Sequence, residues 1–242
     1  RSVGGGHRMI RRLVLFDIDG TLLHSGGAGR RAIMAAMAGM LPSSAGTTAV
    51  RFDGKTDPQI VTELLAVGGD PEPGNPDRIA EVLDRYVALL ERELHNGGPS
   101  SEVLPGIPSL LDALEGQASV LLGLLTGNVA LGAELKLRAA GIAPTRFRVG
   151  AFGSDSHERP ALPPIAASRA TSHFGRIPAG PEVVIIGDTP ADVTCGVASG
   201  ARAIAVATGG YTLDELSAFS PWRAYADLTD TAAVVDAILG DA

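Results

Sequence analysis

Three places in this sequence set oxygen-bearing side chains directly after an apolar run. Arg12–Phe16 (RLVLF) leads into Asp17-Ile18-Asp19-Gly20-Thr21-Leu22. Ser119–Leu125 (SVLLGLL) leads into Thr126-Gly127-Asn128. Glu182–Ile186 (EVVII) leads into Gly187-Asp188-Thr189-Pro190-Ala191-Asp192. In open α/β sheets, ligand groups gather at the carboxyl ends of the strands. If these runs are parallel strands, Asp17, Asp19, Asp188, Asp192 and the Thr126 hydroxyl meet on one edge. Carboxylates so close are costly unless protons or a cation neutralise them. An all-oxygen site suits Mg²⁺, often shared with a phosphate. Each segment also has a plainer reading. Asp17 and Asp19 suit a strand-end turn, Thr126 suits a helix cap, and Asp192 suits the first turn of a helix, where the dipole favours it.

Those residues need elements to hold them. The three runs are nearly continuous in apolar residues, as strands covered on both faces should be. Ala203–Val206 reads as a further strand and Phe147–Val149 as a short one. Between them lie helix signals: Pro108–Leu114, Val129–Ala140 closing at Gly141, Pro190–Ser199 closing at Gly200, and Thr231–Leu239 closing at Gly240. Strands alternating with helices predict an α/β fold, a Rossmann-like doubly wound parallel sheet. One stretch breaks the alternation. Between His24 and Glu102 the helix candidates are Gly29–Met40, Asp57–Val67 and Asp77–Asn96, with no strand run. Asp57-Pro58 reads as a cap followed by proline at the first helical position. The expected organisation is a core of 9–23 and 104–242 with an inserted all-α cap domain at 24–103. Residues 1–8 (RSVGGGHR) read as a tag or disordered leader before Met9.

The joint pattern DxDGT, then T-G-N, then GDxxxD, each after an apolar run, resembles the haloacid dehalogenase superfamily. The insertion point resembles that of its phosphatases with a helical cap, and the phosphoglycolate-phosphatase-like group looks closest. The resemblance runs from Leu13 onward. It implies that Asp17 is a nucleophile forming an aspartyl phosphate and that Asp19 is the general acid–base. It implies that Thr126, with Gly127 and Asn128, holds the transferring phosphoryl. It also implies a Mg²⁺ held by Asp17, the Asp19 backbone carbonyl and Asp188, with Asp192 beside it. The family places a further cation, usually Lys, on the phosphoryl between the second and last motifs. Arg159, in Glu158-Arg159-Pro160, is the choice here, and its fork suits two phosphoryl oxygens. Lys136 also lies in that interval, in the middle of a predicted helix. In capped members, cap loops close over the site. That makes Lys55, aided by Arg51, a candidate contact to an anionic substrate, although a solvated Lys55 beside a capping Asp57 is the plainer alternative.

The implied reaction is hydrolysis of a small phosphorylated metabolite. A phosphomutase of the β-phosphoglucomutase type shares the core and differs in the final acceptor. A dehalogenase would lack the acid at position 19. A phosphonate hydrolase needs a cap lysine, and Lys55 is the one in the predicted cap. A non-catalytic binding protein on the same fold would be expected to have lost a motif residue. Bulk properties narrow the field further. The 242 residues carry 20 Lys+Arg against 27 Asp+Glu, a net charge of −7. This argues against a nucleic-acid partner, which needs clustered cations. Apolar runs fall far short of the ~20 residues that span a bilayer. The single cysteine, Cys195, suits a reducing cytoplasmic setting and reads as a small buried hydrophobe. The sequence carries no signal of oligomeric state.

Overall fold

The computed structural model describes residues 12–95 and 101–240; the expected leader, 1–8, lies outside them. The chain opens with β1 (Arg12–Phe16) and β2 (Leu23–His24), then α1 (Ala28–Met37), α2 (Asp57–Val67) and α3 (Pro76–His95). It returns through β3 (Glu102–Val103), α4 (Ile107–Glu115), β4 (Val120–Leu125), α5 (Ala130–Ala139) and β5 (Val149–Ala151). Next come α6 (Leu162–Arg169), α7 (Thr171–Phe174), β6 (Val183–Gly187) and α8 (Pro190–Ser199). It ends with β7 (Arg202–Val206), α9 (Leu213–Ser217), β8 (Arg223–Tyr225) and α10 (Thr231–Leu239).

Among the described residues, six strands form one parallel sheet in the order β5-β4-β1-β6-β7-β8. The apolar runs are continuous because both faces are covered. Val14, Phe16, Leu122, Leu124, Val184 and Ile186 pack toward α4, α5 and α10. Leu13, Leu15, Leu121, Leu125, Val183 and Ile185 face the other way, toward α6. Strand order reverses between β1 and β6, which is where an α/β sheet opens its crevice. The register sets Phe16 level with Leu124 on one side and Ile186 on the other. The residues just beyond therefore emerge together: Asp17 from β1, Thr126 from β4 and Asp188 from β6.

Helices α1, α2 and α3 pack around an apolar cluster of their own, including Ile33, Met37, Val61, Leu64, Val82, Tyr86 and Leu90. Val129, at the start of α5, joins that cluster from the core. The two chain crossings beneath these helices are zipped as a short antiparallel ribbon, Leu23 opposite Val103 and His24 opposite Glu102. The cap of α2 is Thr56 rather than Asp57: the Thr56 hydroxyl accepts from the Gln59 N–H at 3.3 Å. Asp57 is the first helical residue, so its carboxylate is released for another use. Among the described residues, no helix is long and apolar enough to cross a membrane.

Candidate active site

At the end of β1 the Asp17 carboxylate is buried. Its Oδ1 accepts from the Ile18 N–H at 2.8 Å and its Oδ2 faces the Arg159 guanidinium at 3.0 Å. Asp188 follows β6 and is also buried; its Oδ1 accepts from the Thr21 hydroxyl at 3.0 Å. Asp192 stands in the first turn of α8. Its Oδ2 accepts from the Thr189 N–H at 3.1 Å and the Thr189 hydroxyl at 2.6 Å, and its Oδ1 pairs with Arg159. Oxygens of Asp17, Asp188 and Asp192 all lie within 4.8 Å of one another. Burial pushes the Asp17 carboxyl up to about 6; Arg159 opposes the shift and Asp192 adds to it. Asp188 is raised as well, by burial first and then by the charge on Asp17.

Arg159 sits in the single 3₁₀ turn at Arg159–Ala161, ahead of α6, and is only 4 % exposed. Pro160 fixes the start of that turn. The guanidinium bridges Asp17 and Asp192, while its Nε is buried without a hydrogen-bond partner.

Asp19 has a different environment. Its side chain is 42 % exposed to the cavity. Its Oδ1 accepts from the Ser25 hydroxyl at 3.2 Å. Its Oδ2 accepts from Asn128 Nδ2 at 2.9 Å and from Lys136 Nζ at 2.6 Å. Burial alone would raise this carboxyl, but the Lys136 charge, helped by the three hydrogen bonds, holds it below its ordinary value. Asn128 also reaches sideways: its Nδ2 donates to Thr126 Oγ1 at 2.8 Å, and its Oδ1 accepts from Lys136 at 2.6 Å. The fully buried Thr126 hydroxyl thus accepts from Asn128 and keeps its own proton to give.

Lys136 corrects the sequence reading, which passed over it as a mid-helix lysine. Helical spacing was the available signal. Gly132, Ala133, Lys136 and Leu137 form the buried stripe of α5, so a lysine on that stripe has to face inward.

The helical insertion roofs the same cavity, which measures about 440 Å³ and also exposes Phe52, Lys55 and Tyr86. Asp57 donates its N–H to the Gly127 carbonyl at 2.7 Å, and its Oδ2 accepts from the Val129 N–H at 2.8 Å. Thr56 donates its hydroxyl to the His157 carbonyl at 2.6 Å. The Lys55 ammonium turns to Glu63 rather than standing free in the cavity. Arg51 lies over the Tyr211 ring at 5.7 Å and also pairs with Asp53, linking the insertion to the rim after β7.

A family model for haloacid dehalogenase-like hydrolases matches residues 14–206. The chain belongs to that family. Solved structures of similar shape include a hydrolase from Pseudomonas syringae, with TM-score 0.70 and 22 % identity over 93 % of this chain and 98 % of that one. A predicted phosphoglycolate phosphatase from Haemophilus somnus superposes with TM-score 0.68 at 18 % identity, again over 93 % and 98 %. CbbY from Rhodobacter sphaeroides in complex with phosphate gives 0.69 at 21 %, over 92 % and 96 %. No curated protein matches the chain at a significant level.

Within this haloacid dehalogenase-like hydrolase, the donor set fits a hard divalent cation. Asp17 and Asp188 supply buried carboxylate oxygens whose mutual repulsion calls for positive charge. The Asp188 carboxylate lies in a cradle that side chains would fill. A Cβ at Gly209 would stand 1.7 Å from its Oδ2, and one at Gly20, which also has φ +80°, 2.3 Å away. Asp192, held by Arg159 and Thr189, brings a third carboxylate oxygen within 4.8 Å of those of Asp17 and Asp188.

Gly127 marks where the insertion meets the core. A Cβ there would lie 2.0 Å from the Lys55 carbonyl oxygen. Gly127→Ala is therefore expected to lift the 55–57 segment and cost about 1–3 kcal/mol, the usual range for overpacking. Thermal melts read this as a fall of roughly 2–12 °C in Tm. An unchanged Tm would show that the segment moves aside without penalty.

Proposed function

We propose that this protein is a Mg²⁺-dependent phosphomonoester hydrolase acting on a small phosphorylated metabolite through an aspartyl phosphate on Asp17. The observation that carries this reading is the convergence of two differently held carboxylates, Asp17 and Asp19, on one cavity with Thr126 and Arg159 beside them. Two carboxylates in separate environments suit separate tasks.

Asp17 attacks phosphorus, and the P–O bond to the leaving alcohol breaks. Asp19 gives that oxygen a proton. Water then attacks the phosphoryl on Asp17, Asp19 takes back a proton, and the P–O bond to Asp17 breaks to release phosphate. Asp19 Oδ1 is the oxygen that trades the proton, because Oδ2 already accepts from Lys136 and Asn128. In the resting site Lys136 keeps Asp19 ionised; an incoming phosphate dianion adds negative charge beside it and favours its protonation. Arg159 and the Thr126 proton face the phosphoryl oxygens, and the helical insertion keeps bulk water out. A bound Mg²⁺, held by Asp17, the Asp19 carbonyl and Asp188, would shield the anionic substrate from Asp17 and stabilise charge on the phosphoryl group.

The test is phosphate release from a panel of small phosphomonoesters, with Mg²⁺ and with EDTA. Release that needs Mg²⁺ is expected, and the best ester names the substrate class. No release from any ester, or release that EDTA leaves intact, defeats the reading.

A further inference from the structure

We propose that Lys136 is a positioning residue: from the middle of α5 it fixes the Asp19 carboxylate, so the site carries two buried cations with separate tasks, Arg159 on Asp17 and Lys136 on Asp19. This rests on the hydrolytic reading above.

A lysine is almost never fully buried unless it is paired, because its ammonium gives up strong hydration. Lys136 is 4 % exposed. What it gains is a closed ring of charge-assisted bonds. Its Nζ lies 2.6 Å from both Asp19 Oδ2 and Asn128 Oδ1, and Asn128 Nδ2 returns to Asp19 Oδ2 at 2.9 Å. The ammonium has only donors, so it dictates which way the Asn128 amide faces. That orientation in turn aims Asn128 Nδ2 at both Asp19 and Thr126. One cation thus sets the attitude of the carboxylate and of the amide that reaches the Thr126 hydroxyl.

The surroundings are cut to fit. A Cβ on Gly29 of α1 would stand 3.1 Å from Lys136 Nζ, so a glycine there lets the insertion close down on the ammonium. The Tyr86 hydroxyl of α3 is buried on the same side, 3.8 Å from that Gly29 Cβ position. The ammonium end of the pair is sealed from solvent while the Asp19 carboxylate stays open to the cavity, so the attraction is screened from one side only. Arg159 does not substitute, since its guanidinium is engaged by Asp17 and Asp192.

The experiment compares Lys136→Met, which keeps length and volume without charge, and Lys136→Arg with the parent. The quantity is kcat/KM for alkyl phosphates and for 4-nitrophenyl phosphate with Mg²⁺, because it covers steps only through release of the alcohol. An alkoxide needs the proton that a well-placed Asp19 delivers; 4-nitrophenolate leaves without one. Lys136→Met is expected to lose about 100-fold on alkyl esters and less than about 5-fold on the aryl ester, the size of a general-acid contribution. Lys136→Arg is expected to recover most of the alkyl activity. Equal losses on both esters, or none, overturn the proposal. So does a KM raised equally for every ester at constant kcat, which would place the ammonium on the substrate. A crystal structure of Lys136→Met gives a reading independent of turnover. The Asp19 carboxylate is expected to rotate off Asn128, and an unmoved Asp19 overturns the proposal. A parent enzyme that releases no phosphate would defeat the hydrolytic reading instead, and the crystal structure would still decide the role of Lys136.

Discussion

Asp17→Asn is expected to lower phosphate release by roughly 10⁴-fold or more, the scale on which loss of a nucleophile is felt, without weakening the fold at neutral pH. The amide keeps the shape of the carboxylate and its bond from the Ile18 N–H, but it is a poor nucleophile. The stability side follows from the titration. The Asp17 carboxyl is pushed up to about 6 by burial, against 3.8 for an unperturbed aspartate. Between those values the folded protein holds a proton that the unfolded chain has lost. The associated stability is present below about pH 4 and is lost as pH rises through about 6. The gap corresponds to on the order of 3 kcal/mol. Asparagine does not titrate, and it also removes the charge that raises Asp188. Urea unfolding in EDTA should show the parent losing stability between pH 4.5 and 7, and the variant losing much less. Activity that survives the substitution would remove Asp17 from its role. A variant weaker than the parent at pH 7 would mean that Arg159 requires both of its carboxylates.

The parts of this protein that the sequence makes legible are those with one dominant cause. β1, β4 and β6 are buried on both faces, and nothing but a continuous apolar run satisfies that. Their ends carry polar groups because ligand chemistry collects there, so Asp17, Thr126 and Asp188 could be placed before any contact was known. The elements that escaped notice have causes that are not local. β2 and β3 are two residues each, too short for any periodicity, and exist because two chain crossings must lie side by side. β8 is a three-residue edge strand, Arg-Ala-Tyr, with no apolar run. Helix α6, by contrast, stands where a helix candidate follows Pro160; it opens on Leu162-Pro163-Pro164, prolines that a first turn tolerates because those N–H groups would go unbonded. Side-chain partners were the least legible. Lys55 is drawn to Glu63 two helical turns on, and Asp57 gives up capping its own helix to bond the start of α5. Both choices depend on how the insertion packs, which local spacing does not encode.

Arg159→Met is expected to damage stability and activity together, and the two losses should separate on one further change. Arg159 is the cation within bonding distance of Asp17 and Asp192. Removing it leaves those carboxylates and Asp188, with oxygens inside 4.8 Å, without that counter-charge. Breaking a buried pair from one side costs about 3–5 kcal/mol, or roughly 6–20 °C of Tm in a chain of this size. The loss should be larger in EDTA than with Mg²⁺, and larger at pH 7 than at pH 4.5, where protons neutralise Asp17. Activity should fall about 10²–10⁴-fold through loss of charge on the transferring phosphoryl. Arg159→Lys keeps the charge, but its shorter stem and compact ammonium do not reproduce the guanidinium whose Nη2 meets both Asp17 and Asp192, so it should land between the parent and Arg159→Met on both scales. Adding Asp192→Asn to Arg159→Met removes one of the stranded charges. That double variant is expected to regain about 2 kcal/mol of the stability, as coupled neighbours do, and none of the activity. Recovery of both would make Arg159 a purely structural counter-ion to Asp192; recovery of stability alone leaves the guanidinium with a task that only the reaction reveals.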